Sequence, residues 1–208
     1  MAIKVITEQE RFWAGEFGNQ YIDRNQGEAM VASNVAFFAR ILQNTEPLNS
    51  IIEFGANIGM NLMALRQLQP RCVLSGVEIN AKAAARLRTI PGVHVYEQSI
   101  HDFTLDEPRD LAFTKGVLIH LNPDSLPGVY DQLYQAGRRY ICVAEYYNPT
   151  PVEITYRSHQ GKLFKRDFAG ELQKRFSDLR LKDYGFVYHG DAQFPQDDLT
   201  WFLLEKGK

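Results

Sequence analysis

Ile51-Ile52-Glu53-Phe54-Gly55-Ala56-Asn57-Ile58-Gly59-Met60-Asn61 decides how the rest of the chain is read. A nearly continuous apolar run is followed by a tight G-x-N-x-G turn, and a helical pattern starts directly after it. Apolar runs without alternation suit strands of a parallel sheet, whose two faces are both covered. Gly55 and Gly59 let the backbone turn sharply and approach a ligand with no Cβ in the way. Asn57 takes the middle position, and asparagine tolerates positive φ better than most residues with a side chain. The helix start beyond offers N–H groups to an anionic group. The dinucleotide fingerprint G-x-G-x-x-G would need glycines at 55, 57 and 60. Asn57 and Met60 stand at two of those positions, so that reading keeps one glycine in three.

Outward from the turn, strand candidates fall at 50–54, 72–78, 93–97, 109–113 and 139–145, with helical stretches at 60–69, 80–89 and 123–136. Such alternation implies right-handed crossovers and a doubly wound sheet. A helix at 166–176 then precedes strands at 179–188 and 199–205, joined by a loop containing Pro195, which predicts an antiparallel closing pair. The predicted class is α/β: a Rossmann-like, seven-stranded, mostly parallel sheet with an antiparallel C-terminal strand. Ahead of the turn, residues 7–25 are polar and aromatic. They predict a short helix capped at Thr7, with Glu10 as its capping-box partner, broken around Gly15 and Gly18. Residues 28–43 carry Val31, Val35, Phe38 and Leu42 at helical spacing. The expected organisation is one domain over 1–208, a helical cap at 1–46 on a Rossmann-like core at 47–208.

Composition sets the outer bounds. The 208 residues are 45% hydrophobic and 23% charged, an ordinary globular balance that can bury a core without disulfides or metal. Cys72 and Cys142 each lie in a β-like apolar run and read as buried free thiols. A net charge of −2 argues against a broad nucleic-acid surface. The opening MAIKVITEQERFW has no apolar core of a signal peptide, and no run approaches the ~18 apolar residues of a membrane span. A cytoplasmic protein without membrane or nucleic-acid partners and without a metal site is expected; oligomeric state is left open.

Glu78 ends the run VLSGVE, 19 residues after Gly59. That is close to the ~20-residue spacing at which an acid reaches ribose hydroxyls. Two carboxylate oxygens suit a vicinal diol, since each accepts one proton. A nucleoside ligand follows, without a choice between S-adenosylmethionine (SAM) and a nicotinamide.

The choice comes from resemblance. The pattern E-x-G-x-[GN]-x-G, with Glu53 two residues before Gly55, resembles motif I of class I methyltransferases. The segments Phe113-Thr114-Lys115-Gly116-Val117-Leu118-Ile119-His120-Leu121-Asn122-Pro123 and Glu145-Tyr146-Tyr147-Asn148-Pro149-Thr150-Pro151 resemble the pseudaminic acid biosynthesis-associated methylase family. So do Tyr156-Arg157-Ser158-His159, Leu163-Phe164-Lys165-Arg166-Asp167-Phe168, Phe12-Trp13-Ala14-Gly15-Glu16-Phe17-Gly18 and Asp197-Asp198-Leu199-Thr200-Trp201-Phe202, so that the resemblance covers essentially the whole chain.

The resemblance implies the class I methyltransferase fold, SAM as donor, and an association with nonulosonic acid sugars of bacterial surfaces. It places Glu53, Gly55, Asn57, Gly59, Glu78, Ile79 and Lys115 around the donor. Ser99 and Ile100 would edge the adenine, with Asp102 competing for the polar role. The acceptor is then a hydroxyl or nitrogen of a small anionic sugar. A protein acceptor such as flagellin, or a catalytically silent SAM-binding subunit, stays open. Asn148-Pro149-Thr150-Pro151 follows the fifth strand rather than the fourth, so the Asn-Pro-Pro-aromatic chemistry of amino methyltransferases does not carry over.

Methyl transfer is an in-line displacement in which positioning is worth ~7–11 kcal/mol and a base only ~10²–10⁴-fold. His120, after the fourth strand, is the first base candidate. Glu145, ending the fifth strand beside Tyr146, is the second; it could orient a hydroxyl or hold a cationic amine or amidine. The basic stretch at 156–166 would meet an acidic sugar, with Tyr147, Tyr156, Arg157, His159 and Lys165 as the contacts. Trp13 and Tyr21 offer aromatic surface over the donor, Arg24 a partner for its carboxylate, and Trp201 reads as core.

Overall fold

The structure is a computed structural model and describes residues 7–24 and 27–207. Three helices lead the chain: α1 (Glu8–Ala14), α2 (Glu16–Arg24) and α3 (Glu28–Leu42). Then follow β1 (Ser50–Phe54), α4 (Met60–Leu68), β2 (Val73–Glu78), α5 (Ala81–Leu87), β3 (Val93–Glu97) and β4 (Arg109–Lys115). After two 3₁₀ turns, at Leu118–His120 and Pro123–Ser125, come α6 (Leu126–Ala136) and β5 (Gly137–Glu145). The chain closes with the small hairpin β6 (Val152–Glu153) and β7 (Phe164–Lys165), then α7 (Phe168–Arg175), β8 (Leu179–Phe186) and β9 (Thr200–Lys206).

The seven-stranded sheet has the order β3-β2-β1-β4-β5-β9-β8. Strands β1 to β5 pair in parallel, and β9 runs antiparallel between β5 and β8. The predicted antiparallel C-terminal strand is therefore β9. Strand order reverses between β1 and β4, and in such sheets the crevice beyond the carboxyl ends at the reversal receives the ligand. Side chains alternate into two cores. Ile51, Phe113, Tyr140 and Trp201 pack with α3 and α4, while Ile52, Phe54, Ile141 and Val143 pack with α6 and α7. Both cysteines are buried and free. No helix among the described residues is long and apolar enough to cross a membrane.

Three local features depart from the sequence reading. Gly15 ends α1 as predicted, but Gly18 lies inside α2 and breaks nothing. A Cβ there would stand 1.9 Å from the Trp13 carbonyl oxygen, so Gly18 serves the close approach of the two cap helices. The helix expected over 123–136 begins as a 3₁₀ turn held by Asn122, whose side chain accepts from the Asp124 N–H. The β6–β7 hairpin has no sequence signal, because each strand is only two residues long.

At the sheet edge Gly185 of β8 faces Trp201 of β9, and a Cβ at 185 would stand 2.8 Å from three indole ring atoms. Trp201 is 1% exposed, fully buried in the core. Gly185→Ala is expected to cost about 1–3 kcal/mol by overpacking. A thermal melt reads this directly; an unshifted Tm would show that the indole can move.

Candidate active site

The glycine turn hugs the first 3₁₀ turn. Gly55, Asn57 and Gly59 all have positive φ, at 77°, 48° and 84°. A Cβ on Gly55 would lie 2.6 Å from Val117 Cγ2, so a side chain at 55 would part β1 from the turn after β4. Across the turn, Glu78 Oε2 accepts from the Asn57 N–H and Oε1 from the Asn80 N–H, both at 2.7 Å. Glu78 is 8% exposed; burial pushes its carboxyl above the ordinary range, while those backbone donors favour the charged form. Each oxygen retains acceptor capacity on the cavity wall. Asn80 caps α5 through Ala83 N–H and donates to the Trp13 carbonyl at 3.1 Å and Asn19 Oδ1 at 3.0 Å. One asparagine thus joins the cap helices to the end of β2.

Gly55, Asn57, Glu78, Asn80 and Trp13 line a cavity of about 460 Å³ beyond the carboxyl ends of the parallel strands; Gly59, predicted to line it, lies off it, where a Cβ would meet Leu87 and Ile90 within 2.5 Å. Ile79, Ser99, Ile100 and Lys115 line it as well. Glu53 does not. It is buried behind the wall, where Oε1 accepts from Asn61 Nδ2 at 2.6 Å and burial pushes its pKa to about 8. It reaches the cavity only through Asn61. Burial also lowers the Lys115 ammonium, to about 8. Lys115 Nζ donates to Asn34 Oδ1 at 3.1 Å, and Gln196 Nε2 donates to the same oxygen at 3.0 Å. The loop between β8 and β9 is thereby tied to α3 and β4. At the β3 end, Ser99 lines the cavity, whereas Asp102 is exposed and off it. The Ser99 hydroxyl itself donates to Glu10.

On the β4 and β5 side the walls are aromatic. Trp13 packs against Tyr21 at 5.2 Å and His120 at 4.7 Å, and His120 against Tyr156 at 4.9 Å. Tyr146 and Asp197 complete this half. Burial raises the Tyr21 and Tyr146 phenols, so both stay protonated hydroxyls. His120 Nδ1 lies 2.6 Å from the Lys162 carbonyl oxygen. A carbonyl only accepts, so Nδ1 carries the hydrogen and Nε2 is left with a lone pair. Burial lowers the ring to about 4, which keeps it neutral at ordinary pH.

Several predicted contacts lie elsewhere. Glu145 is 2% exposed and off the cavity; its oxygens accept the Val117, Leu118 and Ile119 N–H groups at 3.1, 3.2 and 3.4 Å. The strand-end carboxylate expected to face an acceptor holds the backbone of the His120 turn instead. Tyr147 is 41% exposed and packs on Phe202, outside the cavity. Arg157, His159 and Lys165 are not in the lining either. The hairpin carries them behind it: Arg157 stacks over Tyr156, Lys165 over Tyr146, and His159 packs on Phe12 and Phe17. Arg24 stacks over Phe17, away from the cavity. In the other direction, Glu10, Asn34, His189, Gln196 and Asp197 line the cavity without having been predicted as site residues. The quoted segment at 197–202 was the only pointer to any of them.

The sheet order, the left-handed glycine turn after β1 and the carboxylate ending β2 together define the Rossmann-like methyltransferase fold. Solved structures share it. The 1,6-didemethyltoxoflavin-N1-methyltransferase of Burkholderia thailandensis, with 1,6-didemethyltoxoflavin and S-adenosylhomocysteine bound, aligns at TM-score 0.69 and 12% identity over 96% of this chain and 87% of its own. The plantazolicin methyltransferase BpumL, with a pentazolic desmethylPZN analog and S-adenosylhomocysteine, aligns at 0.65 and 12% over 96% and 95%. Magnesium protoporphyrin IX methyltransferase from Synechocystis PCC 6803, with SAM bound, aligns at 0.65 and 12% over 98% and 100%. No protein-family model matches the chain, and no curated protein matches it in sequence.

Proposed function

We propose that this chain is a SAM-dependent methyltransferase acting on a small molecule. The carrying observation is Glu78, fixed on the cavity wall by N–H groups from both flanking loops and presenting two oxygens to a ribose diol. The donor set fits SAM along its length: Ile79 and Ile100 offer apolar surface to a purine, and Lys115 offers a cation to the methionine carboxylate. Lys115 takes the role first read for Arg24. When bound, SAM supplies an electrophilic methyl group.

The protein's part is to hold the acceptor. Trp13, Tyr146 and Tyr156 offer flat apolar faces to a sugar ring, and the tyrosine hydroxyls and Asp197 offer polar contacts. Arg157 and Lys165, stacked on Tyr156 and Tyr146, attract an anionic sugar from behind the wall. The nonulosonic class of that sugar rests on the resemblance over 113–168. Neutral His120 directs its Nε2 lone pair at the acceptor proton. With a pKa near 4 it is a weak base, and it serves as an orienting acceptor.

Isothermal titration with S-adenosylhomocysteine and with NAD tests the donor. Binding of the first and not the second is expected; the reverse, or neither, ends the proposal. Labelled SAM with a sugar extract or with purified surface protein then identifies the acceptor. Label is expected in the sugar fraction, and His120→Ala should slow its appearance by about 10²-fold while leaving donor affinity unchanged.

A further inference from the structure

The loop between β8 and β9 brings an acid to the cavity from the far edge of the sheet. Gln196 Nε2 and Lys115 Nζ both donate to Asn34 Oδ1, at 3.0 and 3.1 Å, so the loop is pinned beside the Lys115 ammonium. Asp197 is the next residue of that loop and lines the cavity with them. Its carboxylate acts electrostatically on Lys115, Tyr21 and Tyr146, which puts it among those three side chains. Asp197 is exposed to the cavity mouth, and among the described residues no hydrogen bond or ion pair engages its carboxylate. The other acids of the lining already hold donors: Glu78 the Asn57 and Asn80 N–H groups, Glu10 the Thr7 N–H and the Ser99 hydroxyl.

The methionine end of SAM is a zwitterion, with an ammonium and a carboxylate on one carbon. A pocket for it needs charges of both signs, near each other yet separated enough for the amino acid to enter. Lys115 supplies the positive charge. Its hydrogen bond goes to the neutral Asn34 amide, and among the described residues it forms no ion pair with Asp197. The two charges therefore stand as separate poles, and the shared contact at Asn34 ties the loop of one to the strand of the other.

We propose that Asp197 is the counter-charge of the donor's α-ammonium and sets specificity for the amino-acid end of the donor. This rests on the donor reading above and extends it, because the loop at the sheet edge becomes part of the donor site. A carboxylate has two oxygens and about four lone-pair sites, so a contact to the acceptor is retained as well. A donor without the amino group loses a charge-assisted hydrogen bond. It also leaves Asp197 facing the remaining carboxylate, and that like-charge contact rejects it.

The test is calorimetric titration of the full chain with S-adenosylhomocysteine and with its deamino analogue, in which hydrogen replaces the α-amino group. The wild-type protein is expected to prefer S-adenosylhomocysteine by roughly 10- to 100-fold. Asp197→Asn keeps the size of the side chain and removes its charge, so the preference should fall to within about 3-fold. The fall should come from weaker binding of S-adenosylhomocysteine, with the deamino analogue bound as well as before or better. Wild-type affinities within about 3-fold of each other overturn the proposal without any variant. An Asp197→Asn protein that keeps the wild-type ratio, by weakening both ligands equally or neither, overturns it too. Failure of the wild type to bind S-adenosylhomocysteine at all is a different result, because it removes the donor reading itself.

Discussion

Glu78→Ala is expected to weaken S-adenosylhomocysteine binding by about 10²–10³-fold, the largest loss from any single donor-site change. Two effects add. The ribose diol loses both acceptors, and hydrogen bonds to a charged group are worth roughly 1.5–3 kcal/mol each. The Asn57 and Asn80 N–H groups also lose the carboxylate that sets the two loops facing each other. Asn57 sits at positive φ and is held to β2 by that bond, so the glycine turn loosens where the methionine end must lie. Glu78→Gln keeps one acceptor oxygen and should lose only about 10-fold, because its amide must turn one N–H toward a backbone donor. Titration calorimetry on both variants, with circular dichroism to confirm folding, reads the series. Retention of wild-type affinity by a folded Glu78→Ala would remove the central contact of the donor site.

What was legible in the chain follows from how local each signal is. Apolar strands, the turn at 55–59 and the acid at the end of β2 are each complete within a dozen residues, and a parallel sheet forces them to one edge. The direction of a side chain at a strand end is not local. Glu145 reads as an acid on the ligand side, and only the backbone of the turn after β4, which supplies three N–H groups, shows that it faces away. Arg157, His159 and Lys165 read as a basic patch because they are close in sequence. The hairpin built from two-residue strands turns them behind the tyrosine wall, with Arg157 and Ser158 themselves at positive φ. Glu10 was legible as half of a capping box and fulfils it. Its second partner, Ser99, could not be read from any spacing, because that contact depends on how the cap sits on the sheet.

Glu145→Ala should produce the largest loss of stability. One buried carboxylate satisfies three consecutive N–H groups of the 3₁₀ turn that ends in His120. Alanine leaves those donors without it in a water-poor site, at about 1 kcal/mol or more apiece, so a Tm drop of roughly 6–12 °C is expected. Glu145→Gln separates charge from shape. Burial raises the native carboxyl to about 7, against the three N–H groups that favour its charged form. A group raised in the folded state contributes stability that is full below its unfolded value, near 4.5, and is lost as pH rises through 7. Glutamine cannot ionise, so its Tm deficit against the wild type should shrink between pH 5 and pH 8. Glu53, raised to about 8, adds a slope of the same sign to both proteins and cancels in that comparison. His120 runs the other way: lowered to about 4, it stabilises above 6.5 and loses that contribution as pH falls toward 4, again in both proteins. Because Glu145 does not line the cavity, a folded Glu145→Gln should bind S-adenosylhomocysteine normally and still turn over slowly, through a misplaced His120. Parallel melting curves across that pH range, or a loss of donor affinity equal to the loss of rate, would show that Glu145 acts in some way other than through the turn it holds.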